Sequence, residues 1–172
     1  MMLLNAPDVL KTCGAPSGAM SLLELAKNAR LAVKSEDAYL TSFMTQLSDR
    51  KDAIRWSVHF YDPLADSMYT YDEQSGEVYG PDEVLKQADF IPELDVNNVT
   101  VPVEEALDAA YEAALPESTF VRVIVLLQVL DELETWNITF MNERFHSLNV
   151  RIDATSGRLI AKEPFELFSF DQ

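Results

Sequence analysis

The lettering Trp56-Ser-Val-His-Phe60 followed by Asp72-Glu-Gln-Ser-Gly76-Glu-Val78 returns as Trp136-Asn-Ile-Thr-Phe140 followed by Asp153-Ala-Thr-Ser-Gly157-Arg-Leu159. A repeat of that period is a duplicated supersecondary unit, so features in both copies are architecture, and features in one copy alone are where function is sought. The chain is thereby divided into two similar halves, residues 1–80 and residues 81–172.

An offset of 81 places Ser21 against Pro102, and both suit the start of a helix. Ser21-Leu-Leu-Glu24 is a capping box, in which hydroxyl and carboxylate each satisfy a free backbone N–H. Pro102 costs no intrahelical hydrogen bond at that end. Leu22, Leu25, Ala26, Ala29 and Val33 then match Val103, Ala106, Leu107, Ala110 and Ala114, each set on one helical face. Tyr39 to Leu47 and Phe120 to Leu130 have strand composition, and the Trp-x-[Val/Ile]-x-Phe segments alternate with period two. Third strands run through Ser67 to Tyr71 and Leu148 to Ile152. In the turns that follow, Asp72 and Asp153 can accept from turn N–H groups, while Gly76 and Gly157 can take positive φ. The expected fold class is α+β: two tandem repeats of an amphipathic helix packed on a three- to four-stranded antiparallel sheet.

Pro7-Asp-Val-Leu10, Pro81-Asp-Glu-Val-Leu85 and Pro164-Phe-Glu-Leu-Phe168 look like one recurring element, expected as two short helices and a vestigial cap. The stretch from Gln87 to Thr100, with Pro92, Asn97 and Asn98 and no clear period, is the expected linker between repeats.

The second copy resembles a PepSY-type domain. The resemblance rests on Val103-Glu-Glu-Ala-Leu107 with Ala109 and Ala110, the Leu115-Pro116 break, the Trp136 strand and the Asp153-Ala-Thr-Ser-Gly157-Arg-Leu159 ending, with a fainter echo over residues 20–79. It implies a non-enzymatic interaction or inhibitory module. The tandem layout is also similar to that of β-lactamase-inhibitor-like proteins, which are secreted and cystine-linked. This chain has one cysteine, Cys13, which excludes an internal disulfide and suits a reducing compartment.

Net charge is −16 over 172 residues. That sign repels phosphate backbones and anionic lipid, so neither nucleic acid nor a membrane is an expected partner. No stretch reaches the roughly 20 apolar residues of a spanning helix. With no basic leader ahead of Pro7, the expected location is cytoplasmic, or exported if a leader has been removed. The charge is uneven: residues 1–80 carry −4 and residues 81–172 carry −12.

No nucleophile elbow, phosphate loop or metal-ligand spacing is present, so no catalytic residue, cofactor or metal is expected. His59, on the strand face opposite Trp56, Val58 and Phe60, is explained by a half-exposed strand position, and His146 by a hairpin. Paired carboxylate chemistry for Asp72 and Asp153 is outweighed by their equivalence in two turns.

Differences between the copies then supply the candidate surface. At offset 81, Leu40, Ser42, Met44 and Gln46 correspond to Val121, Val123, Val125 and Leu127, so the second strand is apolar on both faces and needs cover on both. The second cover is the neighbouring copy, a second chain or a target protein; the plain alternative is a central strand in a fused sheet. On the second helix Glu104, Asp108 and Glu112 form an acidic face suited to a basic partner. The expected function is a non-catalytic protein-binding or regulatory module, inhibitory in one version, that acts through this acidic and partly apolar surface. A self-associating structural protein, dimeric through an apolar sheet face, is the alternative.

Overall fold

The computed structural model describes residues 20–84, 90–114, 120–144 and 146–166. Its chain order is helix α1 (Leu22–Ala32), strands β1 (Tyr39–Leu47), β2 (Ser57–Asp62), β3 (Ser67–Asp72) and β4 (Val78–Glu83), then a 3-10 turn at Val96–Asn98. Helix α2 (Val103–Ala114) and strands β5 (Arg122–Leu130), β6 (Leu133–Met141), β7 (His146–Asp153) and β8 (Leu159–Glu166) follow.

Local chemistry sets the helix starts. Ser21 Oγ accepts from Glu24 N at 3.2 Å, and the Glu24 carboxylate accepts from Ser21 N at 3.2 Å, so both halves of the capping box form. In α2 the Pro102 carbonyl accepts the first helical bond, from Ala106 N at 3.1 Å. Leu25 and Ala29 of α1, and Val103, Ala106, Leu107, Ala110 and Ala114 of α2, are the buried stripes. Both stripes join one cluster with Phe43, Leu47, Val58, Phe60, Val123, Val125, Leu127, Trp136, Ile138, Phe140, Val150 and Ile152. The two helices therefore lie on one face of the strands and share one core.

The α+β expectation is corrected here. The strands do not form two sheets of three to four strands, each with its own helix. They form one eight-stranded antiparallel sheet in the order β4-β3-β2-β1-β5-β6-β7-β8, with two α-helices beside it, so the fold is mainly β. The cause lies in the first strand of each half. β1 pairs directly with β5, from Ser42↔Gln128 to Leu47↔Val123, and the central pair carries both sheets into one.

Two further expectations change. Pro81 does not open a helix; residues 78–83 are the edge strand β4, where Gly80 has φ 103° and a Cβ would stand 2.5 Å from the Met68 carbonyl. Only glycine tolerates both conditions. Pro164 lies within β8, opposite Leu148, rather than in a separate cap. Proline is admissible at both places because β4 and β8 are the two sheet edges, where an N–H is not required. The Pro7–Leu10 element and Leu115-Pro116 lie outside the described residues.

The linker is tied to both halves. Leu94 N donates to Leu40 O at 2.8 Å, and Thr100 N and Val101 N both donate to Ala154 O at 3.0 Å. The repeated Asp-Gly turns close alike. Gly76 N donates to Asp72 O and Gly157 N to Asp153 O, each at 2.8 Å, with φ 71° at Gly76 and 74° at Gly157.

Hydrogen bonds hold the turn carboxylates below the usual range. For Asp153 the Ser156 hydroxyl is the main cause, followed by Thr155 N–H; for Asp72 the Ser75 N–H leads. A folded-state pKa below the unfolded one adds stability above the ordinary carboxylate value and loses it as pH falls through the folded value. Asp153→Ala is thus expected to be less stable than wild type at neutral pH, with the gap closing below about pH 4. Urea melts across pH check this; a gap that stays constant into acid contradicts it.

Candidate functional site

The strand register decides which side chains face the helices. Phe43, Val58, Leu127, Trp136 and Ile152 form one inward row across β2, β1, β5, β6 and β7, by the pairs Phe43↔Val58, Phe43↔Leu127, Leu127↔Trp136 and Trp136↔Ile152. Thr45, Val125, Ile138 and Val150 form the next. Val123 is 4% exposed, and Val125 and Leu127 are 0% exposed. The assignment of these three to an interaction surface is therefore corrected: they face the helices and fill the core. Val121 precedes β5, is 42% exposed and donates its N–H to Met141 O at 2.8 Å.

The opposite face carries Ser42, Met44 and Gln46 of β1, and Ile124, Leu126 and Gln128 of β5. Beside them are Ser57 and His59 of β2, and Asn137 and Thr139 of β6. No helix or strand among the described residues packs on this face. Met44 is 37% exposed; Ile124 and Leu126 are half-buried by their neighbours in the sheet. The surrounding polar groups are organised. Ser42 Oγ and His59 Nδ1 lie 2.8 Å apart, Asn149 Nδ2 donates to Asn137 Oδ1 and to Thr139 Oγ1, and Arg151 pairs with Glu163 at 3.1 Å. Burial lowers the His59 pKa, which favours its neutral form.

Charge on the four central strands of this face differs from that on its outer strands, which carry Asp72, Asp153 and Glu163. None of the 29 acidic residues takes an open-face position on β1, β2, β5 or β6, where Arg122 is the one formally charged side chain. The centre of the face presents apolar, amide and hydroxyl groups, and the acids of this face lie on the strands that flank it.

The acidic helix face is exposed at Glu104, Asp108 and Glu112. Asp108 is paired with Arg50, whose guanidinium stands 4.8 Å from the Tyr111 ring centroid, so one of the three charges already has a counter-ion. Asp72 and Asp153 end β3 and β7, with four strands between them in the sheet, and cannot act as a carboxylate pair. Among the described residues no three His, Cys, Asp or Glu side chains are grouped to hold a metal ion. Cys13 lies outside the described residues.

Sequence reasoning missed Met44, Ile124 and Leu126. The signal for them was the strand alternation itself, read with an even offset. Trp56/Trp136 and Phe60/Phe140 are 80 apart, whereas the helix and turn residues are 81 apart.

No family model matches the chain, and no curated protein matches it. Among solved structures, the fold is similar to that of a "putative lipoprotein" from Clostridium difficile 630, with 13% identity, a TM-score of 0.50, and coverage of 76% of this chain and 84% of that one. The likeness concerns the fold. The PepSY-type resemblance is corrected accordingly: no family model supports it, and the neighbour shares a mainly β fold on one continuous sheet. No helix among the described residues is long and apolar enough to cross a membrane.

Proposed function

We propose that this chain is a non-catalytic binding module that docks a partner protein on the open face of its sheet. The observation that carries this reading is the absence of acidic side chains from the central open face of a chain with net charge −16. Charge depletion at the centre of a patch, with apolar groups and neutral hydrogen-bonding groups in its place, is the compositional mark of an interface core. Met44, Ile124 and Leu126 supply the apolar contact; Gln46, Gln128, Asn137 and Thr139 supply donors and acceptors that fix orientation.

The acids have a separate part in this reading. Glu104, Glu112 and their neighbours surround the molecule with negative potential that speeds the approach of a basic partner, an effect on association rate that salt screens. The contact itself is uncharged and changes little with salt. A cytoplasmic location belongs to the same proposal and rests on the single cysteine. The neighbour's description as a lipoprotein makes an exported location the competing outcome, which cell fractionation distinguishes.

Affinity capture from native lysate with three proteins tests the reading. Wild type and the triple variant Glu104→Lys, Asp108→Lys, Glu112→Lys are expected to retain the same partner at high salt, and Leu126→Asp is expected to lose it. Retention by Leu126→Asp together with loss by the triple variant would move the site to the helix face.

A further inference from the structure

The open face of the sheet is complementary to itself. At its centre, where the two halves of the chain meet, Met44 lies opposite Leu126 and Gln46 opposite Ile124. Ser57 stands beside Met44 on β2, and Asn137 and Thr139 stand beside Leu126 and Ile124 on β6. Each of these polar side chains both donates and accepts hydrogen bonds. In a contact across a two-fold axis one patch meets the same patch on the other molecule, so residues near the axis face their own copies. Apolar groups, amides and hydroxyls can pair in that way, whereas a carboxylate or an ammonium group is repelled by its copy.

Charge favours the same occupant. A basic partner gains from acids at the contact, while a partner as acidic as this chain requires their absence. A second copy carries −16, and the central strands β1, β2, β5 and β6 place no acid on the open face. The acids of this face, Asp72, Asp153 and Glu163, stand on outer strands, at the rim of a sheet-on-sheet contact. Arg122, at the start of β5, is the one formal charge on the central strands of the face. Size agrees as well. Eight strands, of which β1 has nine residues and β2 six, give at ordinary strand spacing a face about 34 Å by 20–30 Å, or about 700–1000 Å². A standard interface covers about 800 Å² of each partner.

We infer that, when no other partner occupies the open face, a second copy of this chain covers it, sheet against sheet; the inference rests on the reading of that face as a docking surface. The strands of the two sheets then run within about 30° of one another at a separation of about 10 Å, with α1 and α2 of each copy on the outside. The negative field that draws in a basic partner opposes a second copy. Added salt therefore strengthens self-docking.

Sedimentation equilibrium of the full chain tests this. In about 0.5 M salt the wild type is expected to pass from monomer to dimer between about 1 and 100 μM, within the affinity range open to an interface of this size. In about 0.05 M salt its dissociation constant is expected to rise about fivefold or more. Leu126→Asp is expected to stay monomeric, and Gln46→Glu, an isosteric change at an exposed position, to weaken the dimer about tenfold, because each sets carboxylates against one another near the axis. A wild type that is monomeric at every concentration and salt overturns the second copy as occupant, and capture of a different protein that is lost with Leu126→Asp would still uphold the docking surface. A dimer that persists unchanged in both variants, or that dissociates as salt is added, also overturns it by placing the contact elsewhere.

Discussion

Trp136→Ala is expected to remove about 4–5 kcal/mol of stability, the largest loss among single truncations in this chain. Trp136 is fully buried, sits between Leu127 and Ile152 in the inward row, lies 6.1 Å from Trp56, and donates to the Val101 carbonyl. Truncation empties a volume that neighbouring strands cannot close, which alone costs about 3–5 kcal/mol for a large aromatic. It also strips the partner from a carbonyl that fixes the entry to α2. Domains of this size hold only about 5–15 kcal/mol in total, so the variant is expected to be partly unfolded at moderate temperature. Trp136→Phe keeps most of the ring and loses the hydrogen bond, for a cost of about 1–2 kcal/mol. Trp56→Ala should cost less than Trp136→Ala, because Trp56 is slightly exposed and its indole makes no hydrogen bond among the described residues. Urea unfolding followed by circular dichroism ranks the three; a larger loss at Trp56 contradicts the asymmetry between the halves.

Val125→Asp and Leu126→Asp, neighbours on one strand, are expected to give opposite phenotypes. Val125 is fully buried beneath the helices, opposite Thr45 and Ile138. An aspartate there places a carboxylate in the core without a partner, and either the charge or its neutralisation costs more than about 4 kcal/mol. Leu126 faces the open side between Met44 and Asn137, where the same change leaves the carboxylate in water and alters stability by about 1 kcal/mol or less. Val125→Asp should therefore fail to fold, and Leu126→Asp should fold and fail to bind. Thermal melts of the two proteins read the first half of this contrast directly. A Leu126→Asp protein as unstable as Val125→Asp would show that the open face is covered.

The same pair of residues explains where sequence reading succeeded and where it failed. Helix starts were legible because capping is local: Ser21 and Glu24 announce α1, and Pro102 announces α2. The Asp72–Gly76 and Asp153–Gly157 turns were legible for the same reason. The face of β5 was not, because the offset of 81 that aligns Leu25 with Ala106 and Asp72 with Asp153 drifts to 80 at Trp56 and Trp136. In a strand a slip of one residue exchanges the two faces. At an offset of 81, Val123, Val125 and Leu127 align with Ser42, Met44 and Gln46, which point the other way, so that alignment assigns the core side of β5 to the interaction surface.

The fusion of the halves into one sheet was hidden for a different reason. Pairing between β1 and β5 joins residues about 80 apart, and no residue in either strand marks a long-range partner as a glycine marks a turn. The edge strands misled through proline. Pro81 and Pro164 suggest helix starts or caps when read locally, and their tolerance in β4 and β8 follows only from an edge position that the whole sheet defines.

The most direct test of the open-face assignment is site-specific photo-crosslinking in living cells from Leu126, with Glu112 on the helix face as the comparison. The account predicts a discrete adduct from Leu126 and none of comparable yield from Glu112, with the adduct's mass identifying a different protein or, at twice the chain's mass, a second copy. An adduct from Glu112 with none from Leu126 would contradict it.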